Sequence, residues 1–348
     1  MKKIALLFGG RSREHEVSLA SASYLLSVLS QLPNPLYPIG VTKDGQMLLY
    51  RGSAQELLSK EEGWQTASVP LFAVYRGNAP LFFQTEKGER FSPDAVFSVI
   101  HGTYGEDGAL QGALTLAGIP FFGADTLSSA LGMHKALAKA VVSAVGVPVV
   151  PFQSIFLQSP TLKDCEVAAR AVEDAFGFPV FIKPCVSGSS LGASLVRERS
   201  ELKKALLSAS LLSSEILAEE YIKGSEIEVA VWEENGTLFA STPAEILSHS
   251  PFYDYEAKYG EGKASVFIPA RLSQEESERV ALFAKQAFLA LRCRHLVRVD
   301  FLKKENGALY FNEINTSPGF TKTSMVPRLL SLASEDTLLR LVKGWLAE

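Results

Sequence analysis

Cysteine is scarce in this chain of 348 residues, which contains only three. Cys165, Cys185 and Cys293 are odd in number and far apart in the sequence. This pattern excludes a scaffold built on disulfides and a metal site of the Cys-x-x-Cys type. Free thiols suit a reducing compartment, so we expect the protein in the cytoplasm.

A strong net charge and long apolar runs are lacking as well. The formal net charge of −4 argues against nucleic acid or an anionic membrane as the main partner, although it leaves room for a local basic pocket. No apolar run reaches the ~18 residues that a membrane span needs. The opening residues do not continue as a signal peptide, because charged side chains dominate 11–16. We therefore expect neither a nucleic-acid nor a membrane partner.

Two common nucleotide-binding motifs are missing. The apolar run 4–8 ends in Gly9 and Gly10, and helical periodicity follows from Glu16 to Leu29, which predicts a buried strand, a turn and a helix. The turn lacks G-x-G-x-x-G, which disfavours a dinucleotide-binding domain. A second glycine-rich loop, 187–193, lacks the G-K-[ST] of a Walker A loop.

What is present is the composition of a globular protein with polar loops at strand ends. Hydrophobic residues make up 47% and charged residues 21%, and the length favours two or three domains. Lys183 ends a predicted strand directly before the loop 187–193, so backbone amides and one ammonium could hold phosphate oxygens there. The alternative is a flexible linker. His101 opens a similar loop and is expected to contact a ligand, the alternative being a structural histidine.

The region 296–319 holds a predicted hairpin with several polar side chains. Apolar and polar residues alternate on both sides of Asn306 and Gly307, which is a strong hairpin signal. On this hairpin we expect Arg298 and Asp300 to share one face, and Glu313 and Asn315 to share another.

Three residues of this hairpin are candidate metal ligands. Asp300, Glu313 and Asn315 offer oxygen atoms without a neighbouring histidine or cysteine, which suits Mg²⁺ carried on nucleotide phosphates and not zinc. The alternative is a solvated edge hairpin with acids at its ends. The run Asn315–Gly319 favours the metal, because it predicts a tight turn with backbone N–H groups beside the acids.

Two further segments carry expectations about position. Ser128 to Val145 predicts one amphipathic helix, in which Lys135 and Lys139 would normally face the surface. Residues 247–267 form a long stretch without periodicity, and their tyrosines favour a lid over a disordered loop.

Taken together, the motifs resemble the D-alanine–D-alanine ligases of the ATP-grasp superfamily over the whole length of the chain. They occur in the order FGGRSREHEVS, HGTYGEDGALQG, KPCVSGSSLG, FYDYEAKY and RVDF…FNEINTSPGF. The resemblance implies an α/β fold, with an N-terminal Rossmann-like parallel-sheet domain (1–124) followed by a two-lobed ATP-grasp fold. The lobes are expected at 125–218 and 219–348, the second with the lid at 247–267 and the metal site.

The resemblance also implies an activity. It is the ATP-dependent ligation of two D-alanines to D-alanyl-D-alanine through a D-alanyl phosphate, for peptidoglycan precursor synthesis. Its cofactors are ATP and two Mg²⁺ ions, for which Mn²⁺ can substitute, and its expected assembly is a homodimer. Lys258 and Tyr259 belong to an intact lid motif, Glu256–Tyr259, which favours D-alanine over D-lactate as the acceptor.

The same resemblance implies roles for single residues in binding and catalysis. Glu14 would hold the ammonium of the first D-alanine and join Ser189 and Tyr259 in a triad that closes the lid. Arg298 and the amide of Gly319 would stabilise the reacting carbonyl. His101 would lie near the first D-alanine, and Ser324 with the amide of Met325 would bind the second carboxylate.

ATP and its metal are expected on a third group of residues. The metal ligands implied by the resemblance are again Asp300, Glu313 and Asn315. The residues expected to hold ATP are Lys135, Lys183, Ser190, Glu219, Glu220, Tyr221, Ile222, Glu226 and Lys258. One departure concerns Ser187, which stands where some relatives have Glu, so how the glycine loop is held stays open.

Two rival functions remain at this point. A non-catalytic nucleotide-binding module of the same shape would lack at least one metal ligand, and none is missing. Another carboxylate–amine ligase would share the lobes but not the substrates, and Glu14, Tyr259 and Ser324 argue against it because they specify two small amino acids.

Overall fold

The computed structural model describes residues 1–58, 63–74, 81–188, 190–248 and 264–348. Within these residues the strands form three sheets. The first sheet contains β1 (Ile4–Gly9), β2 (Leu36–Val41), β3 (Met47–Tyr50), β4 (Ser68–Val74), β5 (Phe82–Thr85), β6 (Arg90–Phe91), β7 (Ala95–Ser98) and β8 (Phe121–Phe122). The second contains β9 (Phe152–Phe156), β10 (Val180–Pro184), β11 (Ser194–Val196) and β12 (Glu215–Glu220). The third contains β13 (Gly224–Glu234), β14 (Thr237–Ala240), β15 (Ala244–Ser248), β16 (Ala264–Phe267), β17 (Leu296–Lys304) and β18 (Leu309–Asn315).

The helices pack against these sheets. In chain order they are α1 (His15–Leu29), α2 (Gly63–Thr66), α3 (Ala109–Leu116), α4 (Thr126–Met133), α5 (Lys135–Ala144), α6 (Leu162–Phe176), α7 (Arg199–Ser210), α8 (Gln274–Ala290), α9 (Met325–Ala333) and α10 (Thr337–Ala347). In the described residues, no helix combines the length and the hydropathy that crossing a membrane would require.

The predicted parallel arrangement of the first sheet is confirmed at its centre. β1 pairs in parallel with β2 and β7, and β7 pairs in parallel with β8. β3 to β6 extend the sheet as antiparallel strands. The loops after β1 and β7 therefore leave the same edge, because parallel strands end on the same side of a sheet.

The second and third sheets have antiparallel pairing. The second has the order β11-β10-β12-β9, with a core of side chains from α6 and α7. In the third, β13 pairs with β15 and β17, and β17 with β18. The predicted hairpin is confirmed, and Gly307 takes φ +84° in its turn, a left-handed conformation that glycine adopts without strain.

The single helix predicted from Ser128 to Val145 is wrong. The segment forms α4 and α5, separated by His134, whose backbone is extended at φ −93° and ψ 93°. His134 forms a bridge with Val186, and the N–H of Lys135 donates to the carbonyl of Cys185 at 3.1 Å. The apolar periodicity continues across the break, so the sequence pattern contains no sign of it.

The C-terminal helices return to the first sheet. Side chains of α9 and α10 share one core with β1, β7 and α1. Trp345 contacts Phe122 with ring centroids 5.6 Å apart, and Phe320 contacts Phe97 at 5.8 Å. The loops after β1 and β7 leave one edge of the first sheet. This core packs that edge against the end of β18.

Candidate active site

A solvent-open cleft with about 1210 Å³ of empty space lies where the three sheets meet. It brings together residues that are up to 314 positions apart in the chain, counted from Glu14 to Arg328. Nine of the predicted site residues line it: Glu14, His101, Lys135, Arg298, Glu313, Asn315, Gly319, Ser324 and Met325.

The floor of the cleft is the hairpin of β17 and β18. The register pairs Arg298 with Asn315 and Asp300 with Glu313. Cross-strand partners point to the same side of a sheet, so all four side chains share one face. The prediction of two faces was therefore wrong. The register brings the three proposed metal ligands closer together than that prediction implied.

Arg298 is held by two buried carboxylates. Its Nε and Nη2 donate to Asp300 at 2.7 Å each, and its Nε lies 3.3 Å from Glu228. Burial alone would lower the pKa of Arg298, but the charges of Asp300 and Glu228 outweigh it and raise the pKa well above its ordinary value. The guanidinium therefore stays charged and fixed in direction.

Glu228 is a functional candidate that the sequence analysis missed. It is buried, lines the cleft and pairs with Asp300 across β13 and β17. Oxygens of Glu226, Glu228 and Asp300 lie within 4.8 Å of one another, close enough to share a cation. The alternation of Glu226 and Glu228 in the sequence was the signal that could have identified it, because residues two apart on a strand share a face.

Two buried lysines converge on one carboxylate beside the cleft. Lys183 lies 2.7 Å from Glu219 Oε2, and Lys139 lies 3.0 Å from its Oε1. Burial lowers the pKa of Lys139 to about 8, although Glu219 opposes the shift. Burial alone would raise the pKa of Glu219, but the two lysines lower it.

The predicted surface position of the α5 lysines is therefore wrong. Lys139 is 0% exposed, and Lys135 faces the cleft with its Nζ 3.5 Å from Glu313. The 3.6-residue spacing placed both on one face, but only the tertiary structure shows that this face is turned inward.

The first sheet contributes Glu14 and His101 to the opposite wall. His101 is buried, with Nδ1 3.2 Å from Glu106 and Nε2 3.0 Å from the Ser21 hydroxyl. Burial alone would lower the pKa of His101, but the hydrogen bond and charge of Glu106, with the charge of Glu14, raise it overall. The imidazole is thus biased toward its charged form.

The carboxylate of Glu14 is placed by two glycines. A Cβ on Gly102 would lie 2.5 Å from Glu14 Oε2, and one on Gly188 would lie 2.8 Å from it. The two glycine-rich loops that the sequence singled out follow strands of the first and second sheets and approach the same carboxylate. A side chain on either loop would displace it.

The loop after β18 completes the cleft. Ser324 occupies the N-cap position of α9, and its hydroxyl accepts the Thr321 N–H at 3.0 Å. Gly319 lies against this hydroxyl, since a Cβ there would be 3.0 Å from it. Asn315 accepts the N–H of Ser317 at 3.1 Å, which tightens the predicted turn.

Ser187 stabilises the glycine loop without the Glu of some relatives. Its hydroxyl donates to the carbonyl of Leu191 at 3.0 Å, across the loop. Its own carbonyl accepts from the Nζ of Lys135 at 2.5 Å. These two contacts close the loop upon itself and tie it to α5.

The remaining predicted residues do not line this cleft. Glu219 and Glu220 end β12, Glu226 lies on β13, and Ser190 lies within the glycine loop with φ +56°. Tyr221 and Ile222 connect β12 to β13, and Asp300 lies beneath the cleft, fully buried.

Part of the predicted site falls outside the described residues. Ser189, Lys258 and Tyr259 lie outside the described residues, and so does most of the predicted lid at 247–267. The described ends of that segment belong to β15 and β16, which pair with each other. The triad of Glu14, Ser189 and Tyr259 stays a prediction.

Family models match most of the chain. The model described as D-ala D-ala ligase N-terminus matches residues 3–124, and the one described as D-ala D-ala ligase C-terminus matches residues 141–337. Among curated relatives, a D-alanine–D-alanine ligase of Caldicellulosiruptor bescii is 39% identical over 95% of this chain and 90% of its own length. One of Acetivibrio thermocellus is 40% identical over 94% of this chain and 90% of its own.

Solved structures are similar over nearly the whole fold. The VanG D-Ala:D-Ser ligase of Enterococcus faecalis superposes with a TM-score of 0.87 and 34% identity, covering 99% of each chain. The D-alanine-D-alanine ligase of Coxiella burnetii superposes with a TM-score of 0.84 and 30% identity, covering 100% of this chain and 95% of the other.

Proposed function

The chain belongs to the D-alanine–D-alanine ligase family, and on that premise we propose that it joins two D-alanines into D-alanyl-D-alanine, with ATP converted to ADP and phosphate. The product serves peptidoglycan precursor synthesis. The observation that carries the proposal is the cleft that sets Lys135, Arg298 and Glu313 on one wall against Glu14 and His101 on the other.

The first step activates a carboxylate that would otherwise not react with an amine. An oxygen of the first D-alanine carboxylate attacks the γ-phosphorus of ATP, a new O–P bond forms, and the bond to ADP breaks. Lys135 and Lys183 neutralise the crowded phosphate oxygens. Glu14 holds the ammonium of this D-alanine, and His101, beside Glu106, supports that wall.

The residues of the hairpin fit Mg²⁺, and Mn²⁺ as its substitute. Asp300, Glu313 and Asn315 offer oxygen atoms only and share one face, which is the donor set of a hard cation. We propose that they hold two ions. When bound, the ions supply positive charge to the phosphate oxygens.

The second step forms the peptide bond. The free amine of the second D-alanine attacks the acyl carbon, its proton is lost, and phosphate leaves from the tetrahedral intermediate. Arg298, kept charged by Asp300 and Glu228, and the N–H of Gly319 stabilise the oxyanion. Ser324 and the amide of Met325 at the start of α9 bind the second carboxylate, since a helix N-terminus favours an anion.

The remaining residues and the assembly follow the same family pattern. The adenine and ribose of ATP lie along Glu219, Glu220, Tyr221, Ile222 and Glu226, with Ser190 and Lys258 near the phosphates. The triad of Glu14, Ser189 and Tyr259 closes the lid and excludes water from the acyl phosphate. The units 1–124, 125–218 and 219–348 form an N-terminal domain and two ATP-grasp lobes, and the enzyme works as a cytoplasmic homodimer.

The experiment is phosphate release from Mg²⁺-ATP, with product identification, for D-alanine, D-serine and D-lactate across pH 5.5–9. D-alanyl-D-alanine should dominate above neutral pH and fall in acid, because a protonated amine cannot attack. D-serine is included because a D-Ala:D-Ser ligase is among the similar structures. If the main product above neutral pH were the depsipeptide or D-alanyl-D-serine, the acceptor would be D-lactate or D-serine and not D-alanine.

A further inference from the structure

A second group of ligand-type side chains lies behind the cleft wall. His134 stands in the break between α4 and α5, Cys185 directly follows β10, and Glu215 begins β12. None of the three lines the cleft, and none has a part in the reaction described above. They come from three separate segments, so their proximity is a product of the fold and not of sequence spacing.

The backbone fixes these segments to one another. The N–H of Lys135, next to His134, donates to the carbonyl of Cys185 at 3.1 Å, and the N–H of Cys185 donates to the carbonyl of Glu215 at 2.9 Å. The side chains follow, with His134 Nε2 3.0 Å from Glu215 Oε2. One ligand atom from each of the three lies within 4.8 Å of the other two.

The chemistry of this group differs from that of the hairpin. A thiol, an imidazole and a carboxylate form a donor set that zinc prefers, whereas Mg²⁺ takes oxygen ligands. Cys185 is fully buried, but the side chains of His134 and Glu215 are 22% and 15% exposed, so an ion has an entry side. Three protein ligands would leave a fourth position on that side for water.

We propose that His134, Cys185 and Glu215 bind one thiophilic divalent cation of the zinc class. The site is separate from the proposed Mg²⁺ ligands and does not depend on the ligase reaction. Its ion joins the segment that carries Lys135, the strand that carries Lys183 and the strand that carries Glu219. Its role is to brace the lysine-bearing wall of the cleft.

Protons must leave for the ion to bind. Burial raises the pKa of Cys185 to about 12, and Glu215 adds to the effect, so the metal-free thiol is protonated. The His134 Nδ1 accepts the N–H of Leu137 at 3.4 Å, which leaves the ring proton on Nε2, toward Glu215. Ion binding requires the thiolate, so it releases the thiol proton of Cys185, about one proton per ion.

The test is a titration of the metal-free full-length chain with Co²⁺, with excess Mg²⁺ present to fill the oxygen sites. Cobalt occupies zinc sites and shows a thiolate charge-transfer band together with tetrahedral ligand-field bands. One equivalent should produce both, with about one proton released per ion. Zn²⁺ should then displace Co²⁺ and raise the thermal midpoint, because a ligand of the native state stabilises it.

Matched variants locate the thiolate. Cys185→Ala should abolish the charge-transfer band, whereas Cys165→Ala and Cys293→Ala should keep it, because these other two buried thiols lie elsewhere in the fold. His134→Ala should lose most of the affinity while circular dichroism remains that of the wild type. Cys185→Ser serves if the alanine variant does not fold.

Three results would overturn the site. They are a wild type without a thiolate band, a band that survives in the folded Cys185 variant, and a folded His134→Ala protein with undiminished affinity. Each outcome is independent of turnover, so the proposed ligase activity and the proposed ion site can fail separately.

Discussion

At the scale of single residues, charge balance decides what the hairpin can bind. Asp300 is fully buried and compensated by Arg298, whereas the side chain of Glu313 is 31% exposed and lies near Lys135. Of the two, Glu313 therefore has the carboxylate more accessible to an incoming ion.

Glu313→Gln keeps the shape of the side chain and removes its charge. We expect weaker Mg²⁺ binding and a loss of turnover of roughly 10²-fold or more, since metal ions contribute several kcal/mol to such transition states. The measurement is turnover against Mg²⁺ concentration. Glu305→Gln makes the same change in the turn of the same hairpin, on a side chain that is 70% exposed, and should behave as the wild type. Equal activity of both variants at limiting Mg²⁺ would remove Glu313 from the ligand set.

Lys139 is a positioning residue, because it contacts Glu219 and not the cleft. In Lys139→Met, Glu219 would pair with Lys183 alone and hold it more tightly. We expect the KM for ATP to rise by roughly tenfold, ~1.4 kcal/mol, with little change in the KM for D-alanine. An equal rise in the KM for ATP and the KM for D-alanine would indicate a general structural defect instead.

The pKa of Lys139 adds a dependence on pH. The native pKa is lowered to about 8 from 10.5, so between these values the unfolded chain binds a proton that the native chain does not. Stability must therefore rise with pH in this window, by roughly 1–3 kcal/mol from this group. The free energy of unfolding, measured with denaturant at pH 7.5 and pH 10, should rise more in the wild type than in Lys139→Met. An equal change in both proteins would contradict the lowered pKa.

At the scale of elements, the glycine loops show why a residue without a side chain is needed where the backbone passes close to a carboxylate. Gly102 has φ +71° and faces the Glu14 carboxylate, whereas Gly118 has φ +67° with nothing within 4 Å of a built Cβ. An alanine at either position meets the same backbone strain of ~1–2 kcal/mol. Of the two positions, only Gly102 would also bring the methyl group against the Glu14 carboxylate.

Gly102→Ala and Gly118→Ala therefore form a matched pair. Both should lose stability to a similar degree, but only Gly102→Ala should raise the KM for the first D-alanine, by roughly tenfold or more, since hydrogen bonds to charged groups contribute ~1.5–3 kcal/mol. Steady-state kinetics with thermal unfolding separates the two effects. Equal KM values would show that Glu14 does not hold the D-alanine ammonium.

At the scale of the whole molecule, the C-terminal helices hold the first sheet against the third. Trp345 is only 8% exposed and its ring contacts Phe122 and His295. The contact with Phe122 joins residues more than 200 positions apart, so it stabilises the arrangement that forms the cleft.

Trp345→Ala should lower the free energy of unfolding by ~3–5 kcal/mol, because a large aromatic ring is removed from a core. We expect activity to be lost at a lower temperature, in step with unfolding. Leu332→Ala, on a residue that is 59% exposed in the neighbouring α9, should change little. The check is denaturant unfolding together with residual activity after heating. If Trp345→Ala unfolded at the same denaturant concentration as the wild type, the proposed role of this core would be contradicted.

The sequence by itself determined the local elements and the chemical character of the site. The strand from Ile4, the helix to Leu29 and the hairpin around Asn306 follow from periodicity and turn residues, which act over a few positions. The oxygen donors of the hairpin could be recognised in the same way.

Only the tertiary structure decided how these parts face one another. The break at His134, the burial of Lys139, the shared face of Asp300 and Glu313, and the approach of Gly102 to Glu14 depend on contacts between distant segments. Such contacts leave no mark in local periodicity, because their energy depends on which side of an element meets the rest of the chain. The sequence could therefore supply the site's residues, whereas their packing in three dimensions decided which atoms meet.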